Sequence, residues 1–117
     1  MKNWKLIYQH DPLTNLSEDE AKNVLGGEVA VWSETIDPVN MDSIIWPRAG
    51  AAAEVLWSGR IDPATGQNRS QLDAAPRLNE MRERMVARGV RSSPIQMPWC
   101  SQAENATECS YPVGPGY

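Results

Sequence analysis

The 117-residue chain has no phenylalanine, one histidine and two cysteines. One histidine, His10, and two distant cysteines are too few ligands for a protein metal centre, so no metal is expected. Long apolar runs are missing too. Nothing approaches the roughly 20 apolar residues of a membrane span. No apolar stretch follows Met1-Lys2-Asn3-Trp4-Lys5, so this chain shows no secretion signal. Excess positive charge is also lacking: the formal net charge is -4. That argues against nucleic acid or anionic membrane as a partner, since both select basic faces. What is present is tryptophan, with five residues beside three tyrosines. Such use of tryptophan points to stacking on sugars or rings, or to a sizeable core. Nine prolines and eight glycines imply many turns. The length suits one small domain.

The two cysteines, Cys100 and Cys109, sit close together near the C-terminus. Three Asn-x-Ser/Thr triplets mark Asn15, Asn68 and Asn105 as candidate glycosylation sites, the last between the cysteines. Together they favour an oxidising, secretory setting. A Cys100–Cys109 disulfide would close a loop of about 10 residues and contribute roughly 2.7 kcal/mol through chain entropy. Two free thiols are the alternative.

Several elements are legible. Residues 4–8 read as a short extended segment, broken by Asp11-Pro12. Ser17-Glu18-Asp19-Glu20 is a capping box and predicts a helix to about Leu25, ended by Gly26-Gly27. Residues 28–32 are the best strand candidate, apolar enough for burial on both faces. An irregular stretch, 33–43, follows. Pro47 suits the first turn of an alanine-rich helix stopped by Ser58-Gly59. After a polar loop over 60–69, a second helix is predicted over 71–88. Leu72, Leu78, Met81 and Met85 share its apolar face, and Gly89 terminates it. Residues 98–117 form a tail without periodicity.

This layout is incomplete as a fold. One strand cannot satisfy its own hydrogen-bonding edges, and the alanine-rich helix needs a sheet beneath it. The pattern is that of part of a larger α/β domain.

Gly26-Gly27-Glu28-Val29-Ala30-Val31-Trp32-Ser33-Glu34, then Asp37, Asn40, Trp46-Pro47-Arg48-Ala49 and Ala53-Glu54-Val55-Leu56-Trp57-Ser58, resemble the end of the catalytic domain of family 20 glycoside hydrolases. These are the β-N-acetylhexosaminidases. Arg88-Gly89-Val90 and the late cysteine pair are similar to their secreted fungal members. The resemblance implies an α/β fold: the last strand and following helices, a C-terminal fragment of a (β/α)8 TIM barrel. Residues 1–97 would belong to the barrel, and 98–117 to a disulfide-bearing tail. Barrel chemistry sits at the C-terminal ends of strands, where Trp32 and Glu34 would fall.

The resemblance assigns roles by position. Trp32 would line the pocket of a terminal N-acetylhexosamine, adding roughly 0.5–1.5 kcal/mol beyond area burial. Glu34 would accept bonds from the outer hydroxyls, each worth about 1.5–3 kcal/mol. Read from composition alone, Trp32 is a core residue and Glu34 a solvated carboxylate. The family's chemistry is substrate-assisted retention, with the 2-acetamido oxygen as nucleophile and an Asp-Glu pair in a His-x-Gly-Gly-Asp-Glu motif. That motif is absent here, so no catalytic residue is expected. Asp19-Glu20 lies in a capping box and reads as solvated. Glu28 opens the strand at the wrong end for chemistry. His10 beside Asp11 reads as a surface histidine. Arg48 and Glu54 fall on different helix faces and should pair elsewhere. Met81 and Met85 read as core. The charged face of helix 71–88 reads as solvated, or as a subunit contact such as a homodimer of the longer protein.

The expected function is therefore a part of a secreted β-N-acetylhexosaminidase. It would act on oligosaccharides ending in N-acetylglucosamine or N-acetylgalactosamine, without any cofactor. The chain is expected to be a C-terminal segment, to supply part of the sugar pocket and to be inactive alone. The alternative is a non-catalytic sugar-binding or assembly remnant.

Overall fold

A computed structural model describes residues 3–97. The expectations for Cys100, Cys109, Asn105 and the tail lie outside the described residues. Within them, five helices form in order: α1 (Trp4–Gln9), α2 (Glu18–Ala21), α3 (Met41–Ile45), α4 (Arg48–Ser58) and α5 (Gln71–Ala87). The one pairing of strand type among them is an antiparallel bridge between Ile61 and Asn68.

The expected extended segment at 4–8 is instead helix α1. Asn3 caps it by accepting from the Leu6 amide. The helix wins because Trp4 and Tyr8, four apart, fall on one face. Both rings are buried there, edge to face at 6.5 Å. Their neighbours are Ala51 and Val55 of α4, Ala74 and Leu78 of α5, and Ile95 beyond α5. The Trp4 indole N–H donates to the Ile95 carbonyl at 2.7 Å. Small residues let these helices approach closely. A Cβ on Gly50 would meet Met81 Cε at 2.3 Å.

Helices α4 and α5 lie where the sequence places them. Pro47 stands at the N-cap of α4, and Gly59 closes it at φ 77°. Ser70 caps α5 by accepting from the Leu72 amide. At its other end the Val90 amide donates to Met85 O and the Gly89 amide to Val86 O, with Gly89 at φ 89°. This is a Schellman motif, and glycine tolerates its left-handed residue best. Leu78 of the expected apolar face is buried and Met81 and Met85 are half-buried, but Leu72 is exposed and Ala74 takes the inward place.

The strand expected over 28–32 does not form. The segment has no regular structure, and Val29, Val31 and Trp32 are 47%, 42% and 74% exposed. A strand is stable only when its edges find partners, and the described residues supply none there. So the described residues are helical and lack the expected strand, which is consistent with a fragment of a larger α/β domain. The capping box at Ser17 forms in full, yet α2 ends at Ala21 rather than near Leu25. It buries no residue, and a helix this short gains too little from its own bonds to extend. Gly26-Gly27 therefore does not cap it. Gly27 instead runs close to α4, where a Cβ would meet Leu56 at 3.1 Å. The stretch expected to be irregular, 33–43, contains the start of α3.

Candidate functional site

Trp32 and Glu34 both lie on the exposed segment between α2 and α3. They are two residues apart and precede a compact turn. Asp37 Oδ1 accepts from the amides of Val39 and Asn40, at 2.8 and 3.2 Å. Asn40 Oδ1 accepts from the Asp37 amide, and Asn40 Nδ2 donates to Thr35 O, each at 2.9 Å. Such short polar side chains turn the backbone by bonding to it locally. The chain after α5 returns to the same place. Arg91 donates from Nη2 to Pro38 O at 3.1 Å, and its amide donates to Asp42 Oδ2 at 3.2 Å. Ser93 Oγ donates to Ser43 O at 2.7 Å, and its amide to Trp46 O at 3.1 Å.

Two clefts open against α4. One, of about 490 Å³, is walled by Leu6 and Ile7 of α1, Val55 and Leu56 of α4, and Val29, with His10 and Glu28 among its polar lining. The other, of about 350 Å³, lies between Leu13, Val24, Leu25 and the end of α4. Both are mainly apolar, and neither is lined by Trp32 or Glu34. Among the described residues, no cluster of histidine, cysteine or carboxylate side chains could hold a metal ion. No described helix is long and apolar enough to cross a membrane.

The other candidate groups have structural partners. Glu54 accepts from the Tyr8 hydroxyl at 3.1 Å and from Arg77 Nη2 at 2.5 Å. Burial, then the Glu54 carboxylate, raises the Tyr8 phenol above its ordinary pKa. The Glu54 bond raises that of Arg77. The Arg60 guanidinium stacks over the Tyr8 ring, 6.0 Å from its centre. This cluster pins α1 to α4 and α5. Sequence reading missed it, because its members are 46 and 23 residues apart. Arg48, on another face of α4 as expected, donates to Ile44 O. Asp19 pairs with Lys22 in solvent. Glu20 accepts from the Ser17 amide and hydroxyl, which hold its carboxyl below the usual range. The Asp19-Glu20 pair is thus occupied at a helix start. Asn15 and Asn68 are exposed.

Comparison with known proteins gives the family. The sequence profile described as "Glycosyl hydrolase family 20, catalytic domain" matches residues 1–60, just over half the chain and all of the segment bearing Trp32 and Glu34. A beta-hexosaminidase of Arthroderma benhamiae is 45% identical over 108 residues, 92% of this chain and 17% of the relative. One of Emericella nidulans is 39% identical over 110 residues, 94% of this chain and 18% of the relative. A chitooligosaccharidolytic beta-N-acetylglucosaminidase of Ostrinia furnacalis is 40% identical over 101 residues, 86% of this chain and 16% of the relative. The chain thus spans about a sixth of the length of these relatives.

Proposed function

The chain belongs to glycosyl hydrolase family 20, and from that premise we propose that it is the sugar-holding end of a β-N-acetylhexosaminidase. The complete enzyme would release terminal N-acetylglucosamine or N-acetylgalactosamine by substrate-assisted retention. In this reading residues 28–32 are the last strand of a (β/α)8 barrel, and α4 belongs to the helical layer after it. The observation that carries it is the family match across the segment with Trp32 and Glu34. The exposure of Val29, Val31 and Trp32, with Val29 on the wall of an apolar cleft, supports a role for neighbouring barrel strands as their cover.

Trp32 offers an apolar ring to a sugar face, and Glu34 a carboxylate to its outer hydroxyls. The acid and the acetamido-orienting carboxylate lie on other strands of the complete enzyme. A secretory setting, a Cys100–Cys109 bridge, glycans on Asn15, Asn68 and Asn105, and a homodimer belong to the same proposal. The exposure of Asn15 and Asn68 is compatible with glycans there.

The deciding experiment is to read the coding sequence upstream of Met1 and assay both products on a chromogenic N-acetylglucosaminide. An in-frame His-x-Gly-Gly-Asp-Glu segment, with activity in the extended protein and none in the 117-residue chain, is expected. Hydrolysis by the 117-residue chain alone would overturn this division of labour. In the extended enzyme, Glu34→Gln should lower kcat/KM about 10–150-fold, the range of one charge-assisted bond lost.

A further inference from the structure

We propose that Asn40 and Arg91 are positioning residues for Glu34, an inference that rests on the sugar-binding reading of Glu34 above. Residues 33–40 are exposed except for Ile36 and Asn40, which are half-buried. Burial of apolar surface therefore contributes little to where this segment sits. Polar ties decide it instead. The nearest is the bond from Asn40 Nδ2 to the Thr35 carbonyl, which fixes the residue directly after Glu34. The same Asn40 side chain accepts from the Asp37 amide, so one residue closes the turn from both sides.

The turn runs directly into α3, whose Met41 amide donates to Asp37 O. Arg91 adds a second hold, from outside the segment. It comes from a segment that is itself anchored, because Ser93 bonds to Ser43 and Trp46, and Ile95 is buried against Trp4. From that base the Arg91 guanidinium reaches the Pro38 carbonyl, inside the turn, across 53 residues of sequence. One path from the helical core to Glu34 thus runs through Arg91, the 37–40 turn and Asn40, beside the one through α3. A carboxylate that must accept sugar hydroxyls works only if held within about 0.5 Å of its place. These two side chains touch no sugar in this scheme; they act through Glu34.

The test is kinetic and is made in the complete hydrolase. Arg91→Ala should raise KM for a chromogenic N-acetylglucosaminide about 2–12-fold, the range of one hydrogen bond, with kcat within about twofold. Arg91→Lys, which keeps a donor near Pro38 O, should restore most of the loss. Asn40→Asp loses the donor to Thr35 O while keeping the acceptor, and should raise KM in the same range. In the 117-residue chain, hydrogen exchange at the Val39 and Asn40 amides should quicken in Arg91→Ala, with α4 and α5 unchanged. Glu34→Gln in parallel separates the two ideas. If it raises KM and both positioning variants leave KM alone, the positioning inference falls and the Glu34 reading stands. If Glu34→Gln leaves kcat/KM unchanged, both fall. Equal loss of kcat and thermal stability in Arg91→Ala, unrelieved by lysine, would mark a merely structural arginine and overturn the proposal. Should Arg91→Ala fail to fold, Asn40→Asp decides by the same KM reading.

Discussion

Two regions of this chain are held in opposite ways. The knot of α1, α4, α5 and Ile95 closes on itself: seven apolar side chains, from Trp4 to Ile95, are buried against one another. The stretch from α2 to α3 closes by turns and caps, and leaves Leu25 97% exposed and Trp32 74% exposed. The first region buries its own apolar surface. The second keeps local geometry but displays apolar side chains that a neighbour would have to cover. In the proposed hydrolase, the residues nearest the sugar belong to the second kind. The sugar pocket would then be completed by what packs on this chain, while α1, α4 and α5 supply the base.

Substitutions in the knot should break that contrast most visibly. Leu78→Ala removes a nearly fully buried side chain, and chemical denaturation should show a loss of about 2–5 kcal/mol. Val31→Ser should cost this chain less than about 0.5 kcal/mol. In the complete hydrolase the same change should cost on the order of 2 kcal/mol, if strand neighbours bury the site. Equal effects in both settings would show that residues 28–32 stay uncovered.

Tyr8→Phe removes the hydroxyl bond to Glu54 and should cost about 0.5–1.5 kcal/mol. Its pH dependence sharpens the point. The folded phenol titrates above its ordinary value of 10.0. Its contribution is therefore complete below that value and is lost as pH rises through the higher folded value. The phenylalanine variant should lack this alkaline loss in a stability-versus-pH series.

The smallest effect lies in the open region. Glu20 has its pKa lowered from 4.5 by its bonds to Ser17. The capping contribution is present above that unfolded value and is lost as pH falls through the lower folded one. The Ser17 amide resonance should shift over that acid range while signals from α5 hold.

Local signals carried far in the sequence. The capping box at Ser17, the stop at Gly59, the Schellman glycine Gly89 and the span of α5 were all readable, because each depends on neighbours within a few positions. Residues 4–8 were not, since five apolar-rich residues fit a strand or a helix equally well. Their choice is made by α4 and α5, more than 40 positions later. Residues 28–32 show the converse: a strand-like composition remains unrealised without partners. At the candidate site, Trp32 and Glu34 came from resemblance, and the Asp37–Asn40 turn has a local polar signature. Arg91 had none, because what it holds lies 53 residues upstream.

The triplet Asn15-Leu16-Ser17 has one more consequence. Asn15 occupies φ 64°, a left-handed position that asparagine tolerates better than most residues. Ser17 is the N-cap of α2, a place that favours serine. Backbone economy alone therefore writes an acceptor signal for oligosaccharyl transfer. Ser70, the third letter of the triplet at Asn68, is likewise the N-cap of α5. These serines therefore have a structural use whether or not a glycan is attached.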